Sequence, residues 1–353
     1  MKKINWFNLG FIFAGCFLGA GFLSGNELKQ FFGNFGISGI FGCLISVAAI
    51  CLFGAMILYI SKNKSTEKIE DIILPFKSKI LGSVIAVLQT VLVFAIIVIM
   101  TSGAATLVEE TTGVNRVLAA AIFSAILGVV ALRGVSGVAA FFSVLVPVIA
   151  VFSLGIGIYL CATQGMPQIT SVAAGDTNPL LSHPLLASLS YLSYSIFSSV
   201  GIISPLAKHI GKNKTYLTGT AFGGLVLFVI ATAIILSIYC LPYDKIGELP
   251  MLSAAMGINK IIGISYAVLL LGGMFGAALT SMMSISNYVT VKFTRIKLLW
   301  AVSILAVLNF VGSLCGFGDL IGTVYPLFGY LGLIVLGLIA INFAREVKSK
   351  KHS

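Results

Sequence analysis

Thr280 and Ser281 follow Ala277 by three and four residues in the stretch Phe275-Gly-Ala-Ala-Leu-Thr-Ser-Met-Met-Ser. On a helix those offsets bring two hydroxyls and a backbone carbonyl to one face. Hard, neutral oxygens of this kind suit a sodium ion, above all where the free carbonyls of a broken helix face them. The same small hydroxylated residues also serve as ordinary helix-packing glue. Glu27 is the one acid well inside an apolar segment. A carboxylate at that depth is either a proton site or the partner of a cationic substrate, while Lys29, two residues on, allows a vestibule ion pair near the outer surface instead. Gln89 and Thr90 fall near the middle of a third apolar segment, either facing a cavity or making an interhelical hydrogen bond. Ser188 to Gly201 puts six serines and two tyrosines into one further segment. Serines can return their hydrogen bonds to carbonyls one turn back, so a polar-lined helix interface competes here with an interrupted helix.

The element that must position these groups is Gly15 to Leu28, Gly-Cys-Phe-Leu-Gly-Ala-Gly-Phe-Leu-Ser-Gly-Asn-Glu-Leu. It is too apolar for a loop and too rich in glycine for an untroubled helix. Gly15, Gly19, Gly21 and Gly25 each cost about 1 kcal/mol of helix propensity relative to alanine. A break is the natural reading, and at membrane depth broken backbone is tolerated only where protein or a cavity surrounds it. The break therefore points to a binding site.

The composition places the whole chain in the bilayer. Of 353 residues, 58% are hydrophobic and only 9% charged, with mean hydropathy +1.08, against roughly 25% charged residues in soluble domains. Long uncharged runs imply helices rather than the alternating strands of an outer-membrane barrel. Ten spans are expected, about 5–33, 35–60, 79–108, 114–132, 136–163, 185–209, 215–241, 260–290, 297–315 and 320–344. All 22 Lys and Arg except Lys29, Arg116, Lys245 and Lys260 then fall on one side. That sorting follows the positive-inside rule and sets both termini in the cytoplasm. The net charge of +11 reflects this orientation and anionic lipid, with no nucleic-acid partner needed. Met1-Lys2-Lys3 opens the chain like a signal peptide, but the apolar run passes any cleavage site, so the first span is expected to stay.

Cys16, Cys43, Cys51, Cys161, Cys240 and Cys315 sit in or at the ends of spans with no metal-ligand spacing, and read as small core residues. Two outer loops exceed a turn. Thr163 to Pro184 carries Asp176, and Pro242 to Asn259 is either a short helix capping a vestibule or a loop on the head groups. Arranged as inverted halves, about 5–163 and 185–344, the spans make the glycine-rich first and the serine-rich sixth equivalent. Paired interrupted helices mark a transporter's central site. The expected architecture is an all-α integral membrane protein, a single domain of ten transmembrane helices in a 5+5 inverted repeat with helices 1 and 6 broken.

Gly19-Ala-Gly-Phe-Leu-Ser-Gly-Asn-Glu-Leu, the polar sixth span and Ala277-Ala-Leu-Thr-Ser281 together resemble the leucine-transporter fold of the amino acid–polyamine–cation superfamily, and in particular the YkvI-like bacterial membrane proteins regarded as amino-acid permeases. The resemblance implies a sodium site made by the carbonyls of Gly15, Leu18 and Ala277 with the hydroxyls of Thr280 and Ser281. It implies a substrate carboxylate at the free amides of the first break, Gly19, Ala20, Gly21, Phe22 and Leu23. The rest of the pocket is then lined by the sixth-span break, Tyr194, Ser195, Phe197, Ser198 and Ser199, and by Gln89. The expected protein is a sodium-coupled symporter of an amino acid or related zwitterion or amine, in a bacterial inner membrane, with no cofactor beyond the coupling ion. No lysine stands in the fifth span to replace sodium. A proton-coupled carrier using Glu27 and a solute sensor without flux are the alternatives. His183, His209 and His352 all lie in loops or at span ends, offering no catalytic constellation, and no channel filter is visible.

Overall fold

Lipid offers the backbone no hydrogen-bond partner, so long runs of Ile, Leu, Val and Phe close their own bonds as helices. The computed structural model describes residues 4–133, 138–165, 169, 178–210, 213–242, 246–293 and 295–351. Its helices are α1 (Trp6–Gly15), α2 (Ala20–Ser24), α3 (Asn26–Phe31), α4 (Ile37–Lys64), α5 (Ile69–Ile73), α6 (Lys79–Thr112), α7 (Arg116–Arg133), α8 (Val138–Gln164), α9 (Pro184–Ile203), α10 (Asn213–Tyr239), α11 (Pro250–Ile258), α12 (Lys260–Lys292), α13 (Leu298–Gly312) and α14 (Phe317–Lys351). Polar caps start several of them: Asn5 Oδ1 accepts from Asn8 N at 2.8 Å, and Asn259 Oδ1 accepts from Ile261 N at 2.7 Å.

Eight helices, α4, α6, α7, α8, α9, α10, α12 and α14, are long and apolar enough to cross a bilayer. Helices α1 and α13 are equally apolar but run only 10 and 15 residues. The outer surface is greasy. Ile37, Phe41, Leu44 and Ile45 on α4, and Trp300, Ile304, Val307 and Val311 on α13, are all exposed. Such stripes at helical spacing are stable only against lipid, and the chain is a multi-pass membrane protein.

The helices divide into two packed groups. In one, α10 lies against α1 and α4, and α4 against α9. In the other, α12 packs on α6, α7 and α13, and those three pack on one another. Buried Asn309 ties the second group, donating to Thr101 Oγ1 at 2.9 Å and Ser124 Oγ at 3.1 Å. Helices α8 and α14 each touch both groups, while α2 lies against α6, α11 and α12 and α3 against α9, α10 and α14.

The glycine-rich first segment is broken as expected, into α1, α2 and α3. The sixth is not: α9 runs as continuous α-helix through Tyr194 to Ser199 and changes to a 3₁₀ turn only at Ser204–His209. Its serines explain the difference, because Ser193 Oγ donates to Ser190 O, and Ser198 and Ser199 Oγ both donate to Ser195 O. Ser193 Oγ also reaches Gly329 O on α14, so these hydroxyls are met within α9 or by its neighbour without a break.

The Pro242–Asn259 loop forms the short helix α11, with Met251, Leu252, Ala254 and Ala255 buried. Asp176, Lys245 and His352 lie outside the described residues.

Candidate substrate and ion site

Helix α1 stops at Gly15, and the chain turns through Cys16 to Leu18 before Gly19, in extended conformation, starts α2. Among the described residues no hydrogen bond reaches the carbonyls of Gly15 or Leu18. Gly25, at φ 85°, separates α2 from α3 in a left-handed turn that disfavours any side chain. A Cβ there would also meet Met251, Ile234 and Ile238 at 3.2–3.3 Å. Because α2 ends at Ser24, the Leu23 carbonyl has lost its helical partner, and Tyr266 OH donates to it at 2.7 Å. The Tyr266 oxygen in turn lies 2.9 Å from Ser153 Oγ.

Glu27, on α3, is only 5% exposed. Tyr194 OH of α9 donates to its Oε1, and Oε2 packs so closely on Gly21 that a Cβ at that position would lie 2.7 Å away. Of the placements left open for Glu27, the structure gives a buried one, against Tyr194. The Tyr194 ring stacks on Tyr325 of α14, with centroids 4.5 Å apart and planes 9° from parallel, and meets Tyr191 edge-on at 5.5 Å. Phe22, Leu23, Ser195, Phe197 and Ser199 are all buried around this centre, and Ser198 is half-buried. Gln89 of α6 is 7% exposed; its Nε2 donates to Ser198 O at 3.4 Å, while its Oε1 has no partner.

Thr280 is exposed and its Oγ1 donates to Gly276 O at 2.8 Å, while Ser281 and Ala277 are half-buried on α12. Among the described residues, no bond links them to Gly15 or Leu18.

Beside α3 lies a cavity of ≈ 810 Å³, lined among others by Asn26, Gln30, Asn178, Glu248 and Asp319. Its walls are knitted together. Asn26 Nδ2 donates to Glu248 O at 2.7 Å, and Gln30 Nε2 donates to Gly318 O at 2.9 Å. Glu248 Oε2 accepts from Phe317 N at 3.1 Å and Gly318 N at 3.4 Å, capping α14. Pro326 lacks the N–H that would serve the Gly322 carbonyl, and Asn178 Nδ2 supplies a donor at 2.6 Å instead.

Tyr325, Tyr266 and Glu248 carry much of this geometry and were not expected from the sequence. A tyrosine in an apolar span and a glutamate in a loop give no local spacing signal.

Comparison with known proteins agrees with this architecture. No family model matches the chain. The uncharacterized membrane protein YkvI of Bacillus subtilis is 27% identical over 341 residues, covering 97% of both chains. The inward-facing structure of Mhp1, a nucleobase-cation-symport-1 family transporter, superposes with TM-score 0.69 at 14% identity, over 96% of this chain and 77% of Mhp1. This chain has the leucine-transporter fold. MhsT in complex with L-phenylalanine shares it, with TM-score 0.67 at 14% identity over 96% of this chain and 89% of MhsT. Mhp1 closed around bromovinylhydantoin fits this leucine-transporter fold chain less well, with TM-score 0.57 over 88% of it and 71% of Mhp1, at 15% identity. These neighbours are membrane transporters, not enzymes.

Proposed function

We propose that this protein is a secondary active transporter that moves a small amino acid, or a related zwitterion or amine, by alternating access, coupled to sodium. The observation that carries the reading is the interrupted α1–α2–α3 segment, held between two separately packed helix groups with a buried carboxyl at its centre. Counting that segment as one span and α13 as another gives ten spans in two halves, with both termini cytoplasmic by the sorting of Lys and Arg.

The better fit to inward-facing than to closed Mhp1 supports an inward-facing state. In this reading the Gly15, Leu18 and Ala277 carbonyls meet the Thr280 and Ser281 hydroxyls only in the outward state. Sodium then couples by its differential affinity for the two states. Substrate binds beside Gly19 to Leu23, Gln89 and the Tyr194–Ser199 face of α9. Proton coupling through Glu27 is the second reading, favoured by its burial against Tyr194.

A thermal-shift screen of amino acids and amines, each in sodium and in potassium at matched ionic strength, tests the coupling ion. A solute that binds the folded state raises its stability by mass action. Stabilisation that needs sodium, and is lost in Thr280→Ala/Ser281→Ala while the protein stays folded, is the expected result. Stabilisation indifferent to sodium but shifting with pH would overturn it in favour of Glu27.

A further inference from the structure

We propose that Cys161 and Cys240 form a reversible disulfide between the outer ends of α8 and α10, a redox-closed clamp on a helix that touches both packed groups. The six cysteines show no redox spacing in the sequence, and the pairing emerges only from how the helices pack. A single span, α9, separates α8 from α10 along the chain, so the two helices cross the membrane in the same direction, and they pack on each other. Gly157 of α8 marks a close crossing: a Cβ there would lie 2.9 Å from Ala233 O and 3.1 Å from Ser237 Oγ of α10. Cys161 follows Gly157 by four residues and Cys240 follows Ser237 by three. Cys240 N still bonds to Leu236 O at 3.1 Å, so the helical offset holds as far as that residue. One turn beyond the crossing, both thiols therefore stand on the facing sides of the two helices. Their side chains share a hydrogen bond there.

Both cysteines are free thiols and half-buried, held by their helices yet open to a small reagent. Cys16 instead donates to Ile12 O at 3.2 Å, and Cys51 Sγ is packed against Gly224. The orientation in which both termini are cytoplasmic puts the ends of α8 and α10 on the outer face. Disulfides persist on that side of a membrane, while cytoplasmic thiols are kept reduced. The step is thiol–disulfide exchange with a low-molecular-weight disulfide as oxidant. One cysteine thiolate attacks a sulfur of that disulfide, breaking its S–S bond and releasing a first thiolate. The other cysteine thiolate then attacks the protein-bound sulfur, forming the Cys161–Cys240 bond and releasing the second. The two protons given up by the cysteines end on the two released thiolates, so two protein thiols are oxidised and one external disulfide is reduced. Because α8 lies against α12 as well as α10, the bond fixes the outer end of a bridging helix to the group that contains α1, α4, α9 and α10.

The test equilibrates the full-length purified protein with oxidised and reduced glutathione, blocks the remaining thiols and maps the peptides by mass spectrometry. Oxidation should consume two thiols per chain and yield one cross-linked peptide pair, Cys161 with Cys240. The apparent melting temperature should rise by several degrees and return when dithiothreitol is added. Amide exchange in the outer turns of α8 and α10 should slow on oxidation, as a clamp requires. Replacing Cys16, Cys43, Cys51 and Cys315 together by Ser should leave the bond intact, whereas Cys161→Ser or Cys240→Ser should abolish it. The wild-type peptide map decides the pairing even if a variant fails to fold. The inference is overturned if both thiols stay free at the oxidising limit, if either pairs with another cysteine or with a second molecule, or if the bond forms and leaves stability and exchange unchanged. In right-side-out vesicles, oxidised glutathione added outside should close the bond, and the same reagent confined to the lumen should not. Closure from the lumen alone would overturn the outer placement and the orientation it rests on.

Discussion

At the scale of single residues, the centre of the molecule is a buried carboxyl held by a tyrosine hydroxyl. Tyr194→Phe removes the donor to Glu27 Oε1 and leaves a desolvated acceptor unmet, a cost of about 1–3 kcal/mol. The loss should shrink when Glu27 is already Gln, so a double-mutant cycle read by thermal unfolding should give a coupling of roughly 1 kcal/mol. Additive losses would show that the two side chains do not depend on each other. Glu27 and Tyr194 were both legible in the sequence as polar groups at apolar depth. That they meet was not, because the contact joins positions 167 residues apart. Tyr325 was invisible for the same reason: a stacking partner is defined by tertiary approach, not by spacing. The Ala277, Thr280 and Ser281 pattern was plain in the sequence, whereas the carbonyls of the first segment expected to complete the site were implied only by the resemblance. Local sequence reports which face the oxygens share, and says nothing of which conformation brings the other half of the site to them.

At the scale of elements, glycine announced the first break and serine misled about the second. Gly19 and Gly25 occupy an extended and a left-handed junction, where helix cannot continue. Gly25→Ala should therefore destabilise the protein by about 1–2 kcal/mol from the left-handed backbone alone, with more from the crowding against Met251, Ile234 and Ile238. Ser199→Ala, a loss confined to one hydroxyl bonded back to Ser195 O, should be nearly neutral. Thermal unfolding of the two variants checks the contrast, and equal effects would mean that the α2–α3 junction is not strained by a side chain. In α9 the serine hydroxyls bond within their own helix or across to α14, as Ser190 does to Pro326 O at 3.4 Å. Hydroxyl content alone does not distinguish a helix that breaks from one that packs closely on its neighbour. The capping helix α11 was half legible: its apolar positions implied burial, but the surface it covers is set by α10 and α12.

At the scale of the whole molecule, composition alone was enough to place the chain in a membrane, and the exposed apolar stripes on α4 and α13 bear this out. What the sequence could not supply is the division into two helix groups. That division depends on which helices touch, and each helix shows lipid or protein the same apolar residues. It also gives the molecule its mechanical character. In the proposed mechanism the two groups, joined through α8 and α14, rock about the broken segment, while the bonds from Asn26, Gln30 and Glu248 tie α3 to α14 and to the stretch before α11. The most direct test of alternating-access transport is uptake into proteoliposomes of an amino acid or amine found to bind, with an inward sodium gradient imposed across the membrane. Accumulation above the external concentration, collapsing when the gradient is dissipated and absent from protein-free vesicles, is the expected result. Tight binding with no gradient-driven accumulation would contradict it and make the protein a receptor for its solute rather than a carrier.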